Sequence, residues 1–229
     1  TAFLSVGPVR AETTLLLAPG AGAPMTSPWM ERVSALLADA GLRVRRFDFG
    51  YMTARLQGSR RPPPKAEALI GEYTAAVEGA LATMCGGRLL IGGKSLGGRV
   101  ASLAAQPLFD AGRIAGLVSL GYPFHPPKRP EQLRTRHLRT LTCPTLIVQG
   151  ERDPFGGPAE VAGYGLAPAI SVHWATDGDH DLAPRKSSGA TLEGNLADAV
   201  RAIVRLRTGW GYGRAPGGPA RRDALSAWP

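Results

Sequence analysis

The sequence predicts a single α/β domain with a mainly parallel central sheet flanked by helices and no cap domain. Three observations carry that expectation. Short apolar runs alternate with stretches of helical periodicity, as strand–helix units require. Glycine and proline clusters separate the two kinds of segment. A chain of 229 residues suits one α/β domain, and 44% hydrophobic against 20% charged residues marks it as globular rather than disordered.

The first clear strand is Thr14-Leu15-Leu16-Leu17-Ala18, stopped by Pro19-Gly20-Ala21-Gly22. Ser27 then offers an N-cap side chain, with Pro28 at the first helical position. Trp29, Val33, Leu36, Leu37 and Ala40 follow at helical spacing, and Gly41 ends the helix. A second strand spans about Leu42 to Asp48. The following loop carries Arg55, Arg60, Arg61 and three prolines, which a helix interior rejects. A helix resumes near Ala66, with Leu69, Tyr73, Ala76, Val77, Ala80 and Leu81 on one face, and Gly86-Gly87 closes it. Leu89-Leu90-Ile91 is the centre of a wholly apolar strand, as in buried parallel sheets. Beyond it, Val100, Leu103, Ala104 and Leu108 give the next helix an inward face. Further strands read at Ile114–Leu120, Thr145–Gln149 and Ile170–Ala175, and a last amphipathic helix over about Leu192 to Leu206. The domain therefore spans 1–208, and 209–229 reads as a loosely held tail rich in Gly, Pro and Arg.

Composition removes several functional classes. The formal charge of +9 raises nucleic acid as a partner, yet no helix-turn-helix, RNP-like or zinc-finger pattern accompanies it, so none is expected. Cys85 and Cys143 are too few for a disulfide framework or zinc cluster, and each reads as a small buried side chain before a strand. No stretch approaches the roughly 18 apolar residues of a membrane span. No basic patch followed by an apolar run opens the sequence, so the expectation is a cytoplasmic protein without a membrane partner.

The chemistry centres on Gly93-Lys94-Ser95-Leu96-Gly97, a Gly-x-Ser-x-Gly segment between a buried strand and an amphipathic helix. A tight strand-to-helix turn lifts a serine hydroxyl clear of the sheet, and crowding requires small residues two places either side. The next helix turns its free N-terminal amides toward developing negative charge. A phosphate-binding loop ending in Gly-Lys-Ser needs a glycine at position 88, which is arginine, so that reading fails.

Serine needs a base held by a carboxylate. Asp153 follows the strand that ends near Gln149, and His180 follows the next strand, so both belong at the same sheet edge as Ser95. Glu151 competes with Asp153 for the orienting role. His125 and His137 lie in connections and His173 within a strand. Asp177, Asp179 and Asp181 around His180 read as a turn, and no matching cluster elsewhere suggests a metal. The amides of Leu96 and, from the first glycine turn, Ala21 are the expected oxyanion donors. Lys94, Arg60 and Arg61, with Arg55, Lys128, Arg129, Arg185 and Lys186, are expected to form a positive rim suited to an anionic acyl substrate.

These segments together resemble the α/β-hydrolase superfamily. Within it, the chain is similar to the small dienelactone-hydrolase-like branch that includes testis-expressed and histone-acetyltransferase-complex hydrolase-like proteins. The matching stretches are Ala18–Gly22, Arg46–Phe49, Arg60–Pro63, Gly93–Arg99, Gly121–Pro127 and Gly178–Leu182, spread over roughly Leu15 to Ala202. The resemblance implies a triad of Ser95, Asp153 and His180, and a small-molecule acyl ester, thioester or lactone as substrate, with no cofactor. Larger hydrolases insert a helical lid after the strand that follows the nucleophile helix. Here Gly121 to about Glu131 leaves no room for one, so an open site is expected. Some proteins of this branch act as non-catalytic partners, which makes a scaffold on a hydrolase fold the second function class.

Overall fold

The computed structural model describes residues 1–209. The core of the chain alternates strands and helices in the order β1 (Leu4–Val6), β2 (Thr13–Ala18), α1 (Pro28–Asp39), β3 (Arg43–Arg46), α2 (Gly50–Leu56), α3 (Ile70–Leu81), β4 (Arg88–Lys94), α4 (Leu96–Asp110), β5 (Gly116–Leu120), β6 (Thr145–Gly150), α5 (Pro158–Val161), β7 (Ile170–Ala175) and α6 (Leu192–Gly209). The sheet has seven strands in the order β1-β3-β2-β4-β5-β6-β7, parallel throughout except for β1, which pairs antiparallel with β3 at one edge. Parallel pairing brings the C-terminal ends of β2, β4, β5, β6 and β7 to one edge, where the loops carrying the chemistry emerge.

Period-two alternation divides the core into two layers. Leu15 and Leu17 of β2 face one side with Met30, Val33 and Leu37 of α1 and Leu196, Ala199 and Ile203 of α6. Leu16 and Ala18 face the other, with Tyr73, Ala76 and Val77 of α3 and Val100, Ala101 and Ala104 of α4. Every residue of β2 and six of the seven in β4 are buried, so these strands are covered on both faces.

Behind the Ser95 turn, the Tyr73 hydroxyl enters the sheet: it accepts from the Gly92 amide at 2.9 Å and lies 2.6 Å from the Gly92 carbonyl and 3.2 Å from that of Leu16. Burial pushes this phenol far above the usual tyrosine range, so it stays neutral and able to donate. Tyr73→Phe leaves those backbone groups without their side-chain partner, and we expect a loss of about 1–3 kcal/mol in urea unfolding.

The structure departs from the sequence expectations at several points. β1 has three residues, too few to show alternation. The segment Gly50–Leu56 is a helix and not a loop; it buries only Met52, so it has no apolar stripe to announce it, and the Glu72 carboxylate caps it at Gly50 N, 2.7 Å. The short α5 likewise buries only Val161. Ser27 occupies the N-cap position of α1, but its side chain makes no capping bond. Cys143 is buried as expected, whereas Cys85 is exposed, lying in the turn before β4 rather than under it. Apart from Gly209, which closes α6, the expected tail lies outside the described residues. Among the described residues no helix is long and apolar enough to cross a membrane. The connection from Gly121 to β6 contains only one 3-10 turn, Arg136–Arg139, so no helical lid follows β5.

Candidate active site

Ser95 sits between β4 and α4 with φ 50° and ψ −112°, a left-handed conformation that costs a non-glycine residue about 1–3 kcal/mol. The neighbouring glycines explain how the turn closes. A Cβ at Gly93 would stand 2.5 Å from the Ala18 carbonyl oxygen, and one at Gly97 only 2.3 Å from the same atom. Gly98 packs against Ser119, whose Oγ would lie 2.3 Å from an added Cβ. The Pro19–Gly22 loop lies directly alongside, since a Cβ on Gly20 would be 3.7 Å from that of Ser95.

The carboxylate and the imidazole meet at the same edge. Asp153, in the loop after β6, has a fully buried side chain whose Oδ2 lies 2.8 Å from His180 Nδ1. Its Oδ2 also accepts from Gln149 Nε2 at 2.9 Å, and Oδ1 from the Phe155 amide at 2.9 Å. A carboxylate oxygen that accepts from Nδ1 fixes the imidazole with Nδ1 protonated and Nε2 free. Glu151 turns away, its carboxylate accepting from the Asp177 amide at 2.7 Å, which removes it from competition.

His180 is placed by backbone contacts. Gly121, at φ 66° just after β5, faces its ring so closely that an added Cβ would stand 3.2 Å from Nδ1 and Cε1. Gly150 gives equal room to the loop backbone, where a Cβ would be 2.2 Å from the Asp179 carbonyl oxygen. The Ser95 amide bonds to the carbonyl of Leu120, at 2.9 Å, the residue preceding Gly121. Ser95 and His180 are therefore both seated on the end of β5, one on Leu120 and the other on Gly121. The Phe155 ring covers the imidazole, with centroids 4.4 Å apart.

Leu96 is the first residue of α4, where a helix leaves its amides without an intrahelical acceptor, and Ala21 lies in the loop after β2. Asp179 and Asp181 serve the turn: Asp179 Oδ1 accepts from the amides of Asp181 and Ala183 at 2.8 and 3.0 Å. Among the described residues no group of His, Cys, Asp and Glu could hold a metal.

Of the eight cations expected to form a rim, two, Arg185 and Lys94, are committed to other bonds. Arg55, Arg60, Arg61, Lys128, Arg129 and Lys186 are exposed. Arg185 is instead spent on Asp177, with Nε 2.9 Å from Oδ1. Lys94 is not on the rim: it is 7% exposed, and its ammonium bonds to the His180 carbonyl. Its segment does end at the C-terminal edge of the sheet, but β4 continues through Lys94 and its ammonium lies toward Trp29 of α1.

A second serine–histidine contact lies farther along α4, where Ser102 Oγ is 2.8 Å from His137 Nε2. Its surroundings oppose base catalysis. Burial, helped by the Arg99 guanidinium and opposed by Glu67, pushes His137 down to about 4. An imidazole that resists a proton is a poor general base, and no carboxylate contacts its other nitrogen among the described residues. In the unfolded chain the same group titrates near the ordinary value of about 6.5, so the unfolded state binds the extra proton first. Stability should therefore drop as pH falls from about 6.5 toward 4. His137→Gln is expected to narrow the difference between the unfolding free energies at pH 7 and pH 4.5, measured in urea, by about 1–3 kcal/mol.

Gln149 and Gly121 were not legible as site residues in the sequence. Gln149 is wholly buried and bridges the site, accepting from Tyr122 N at 2.7 Å while donating to Asp153. A polar residue at the end of an otherwise apolar strand was the one available signal.

Comparison with known proteins agrees with this architecture. Among solved structures, a lid-less α/β serine hydrolase from Xanthomonas campestris is similar over 93% of this chain and 96% of its own, with TM-score 0.65 and 19% identity. A dienelactone hydrolase from Anabaena variabilis matches over 91% and 89%, with TM-score 0.63 and 21% identity. Est1E from Butyrivibrio proteoclasticus, with ferulic acid bound, matches over 90% and 95%, with TM-score 0.68 and 13% identity. At such identities these likenesses establish the fold alone. A family model described as an alpha/beta hydrolase domain matches residues 11–207, nearly the whole described domain, and the chain belongs to that family.

Proposed function

We propose that this chain is a cofactor-independent serine hydrolase of carboxylic esters, thioesters or lactones. The observation that carries the reading is the 2.8 Å contact between buried Asp153 and His180, on the strand end that also seats Ser95. Ser95 Oγ attacks the acyl carbon while His180 Nε2 takes its proton. Asp153 holds the imidazole in the tautomer that makes this possible and stabilises the imidazolium that results. The Ala21 and Leu96 amides receive the developing oxyanion. The imidazolium then protonates the leaving group, and water activated by His180 resolves the acyl-enzyme.

Without a helical lid after β5 the site is open to bulky or polymeric leaving groups. Six exposed cationic side chains in segments expected at that edge favour anionic acyl groups. An ester carrying a free carboxylate is expected to exceed its neutral analogue in kcat/KM at low salt, and to lose that lead as ionic strength rises. Equal and salt-independent rates for the two would remove the charge preference. The function itself is tested with a panel of short-chain esters, thioesters and lactones and purified, folded protein. Saturable turnover is expected for at least one class. Binding of acyl compounds without turnover would instead support the scaffold reading.

A further inference from the structure

Within Gly93-Lys94-Ser95-Leu96-Gly97, the nucleophile turn explains the glycines and the serine but not the lysine. Lys94 is 7% exposed, and burying an ammonium is costly unless it is well paired. Burial lowers its pKa, with Asp181, Asp153 and Asp179 acting in the opposite direction. A long apolar side chain would fill the same space at less cost to the fold, so packing does not account for the charge.

The contacts indicate another role. Lys94 Nζ donates to the His180 carbonyl at 2.6 Å and lies 3.1 Å from Asp181 Oδ1. It stands 5.4 Å from the centroid of the Trp29 ring, within cation–π range. Trp29 Nε1 in turn donates to the Asp181 carbonyl at 2.9 Å. Two successive carbonyls, of the residue bearing the imidazole and of the next, are thus each held by a side chain from a different element. The residue making the first of these bonds is covalently joined to Ser95.

We propose that Lys94 is a positioning residue whose ammonium clamps the His180 peptide, setting the imidazole relative to the serine hydroxyl. Asp153 fixes the ring from its Nδ1 side, and Lys94 fixes the backbone from which the ring hangs. Serine and histidine, 85 positions apart, are thereby tied through one side chain one residue from the nucleophile. Asp181 and the Trp29 ring oppose the effect of burial on the ammonium and aim it. This role rests on the assignment of His180 as general base.

Lys94→Met and Lys94→Gln form the test, because they have nearly the same length but only glutamine retains a donor for the carbonyl. Lys94→Met is expected to lower kcat by about 10–100-fold with KM within about twofold, as for a misplacement of about 1 Å. Lys94→Gln should recover a substantial part of that loss. The second readout is the NMR signal of the hydrogen-bonded His180 Nδ1 proton, which needs no turnover. It should be sharp in the wild type, broadened or lost in Lys94→Met, and restored in Lys94→Gln. Unchanged kcat and an unchanged signal in Lys94→Met, with only Tm affected, would overturn the proposal and leave Lys94 a structural residue. Should Lys94→Met not fold, Lys94→Leu, which also lacks a donor, decides: reduced kcat at constant KM with a broadened signal supports the clamp, and wild-type kcat with a wild-type signal refutes it. If the wild type itself lacks turnover, the hydrolase reading fails. The signal's dependence on residue 94 then still decides the clamp.

Discussion

Ser95→Ala is expected to lower kcat by about 10⁶-fold, the scale seen when a triad nucleophile is removed in subtilisin. The loss should fall on kcat, because the alanine removes only the atom that bonds to the acyl carbon. The substitution isolates chemistry from folding unusually well. Alanine keeps the Cβ, so the strain of φ 50° is neither relieved nor increased. The Ser95 amide still reaches the Leu120 carbonyl, and the glycine contacts that close the turn are untouched. A Tm at or slightly above that of the wild type is expected alongside the lost activity. Ser102→Ala provides the contrast: that hydroxyl bonds back to the Arg99 carbonyl at 2.7 Å within its helix, and its removal should leave kcat within about threefold.

Asp153→Asn is the second large effect, expected at about 10⁴-fold in kcat with little change in KM. The carboxylate accepts from His180, Gln149 and Phe155 and donates to none. An asparagine amide turns part of that acceptor set into donors. Its NH₂ must take either the Oδ1 position, facing the Phe155 amide, itself a donor, or the Oδ2 position, facing both Gln149 Nε2 and the imidazole. Facing the imidazole, it selects the tautomer with Nδ1 unprotonated, which places the proton on Nε2 and leaves no base for Ser95. Steady-state kinetics separate this from general destabilisation, which would lower the active fraction and not the turnover per active molecule. Titrating active sites with an irreversible acyl-type inhibitor supplies that correction.

Much of the fold was legible because buried parallel strands leave unbroken apolar runs, such as Thr14–Ala18 and Leu89–Ile91. The candidate serine, aspartate and histidine came from chain order and from their positions after β4, β6 and β7. Elements without a sustained apolar stripe were not: β1 is an edge strand of three residues, and α2 buries a single methionine. The direction of Lys94 was also hidden, since pattern alone cannot say which way a residue at a strand end points. Arg185 looked like a free rim cation because its partner, Asp177, is eight residues away in the same loop and held at φ 51°. Gly121 opens a stretch that carries the resemblance, yet only the structure shows that its missing Cβ lets the imidazole lie against β5. These are matters of approach between distant segments, which spacing along one segment does not encode.

The central claim is that one serine, at the end of β4, is the nucleophile. Incubation of the purified chain with a fluorophosphonate, followed by digestion and mass spectrometry, tests it most directly. The account predicts a single stoichiometric phosphonyl adduct on Ser95, absent from the Ser95→Ala protein and slowed in Asp153→Asn. An adduct on Ser102 or another residue, or a folded protein that takes no label, would contradict it.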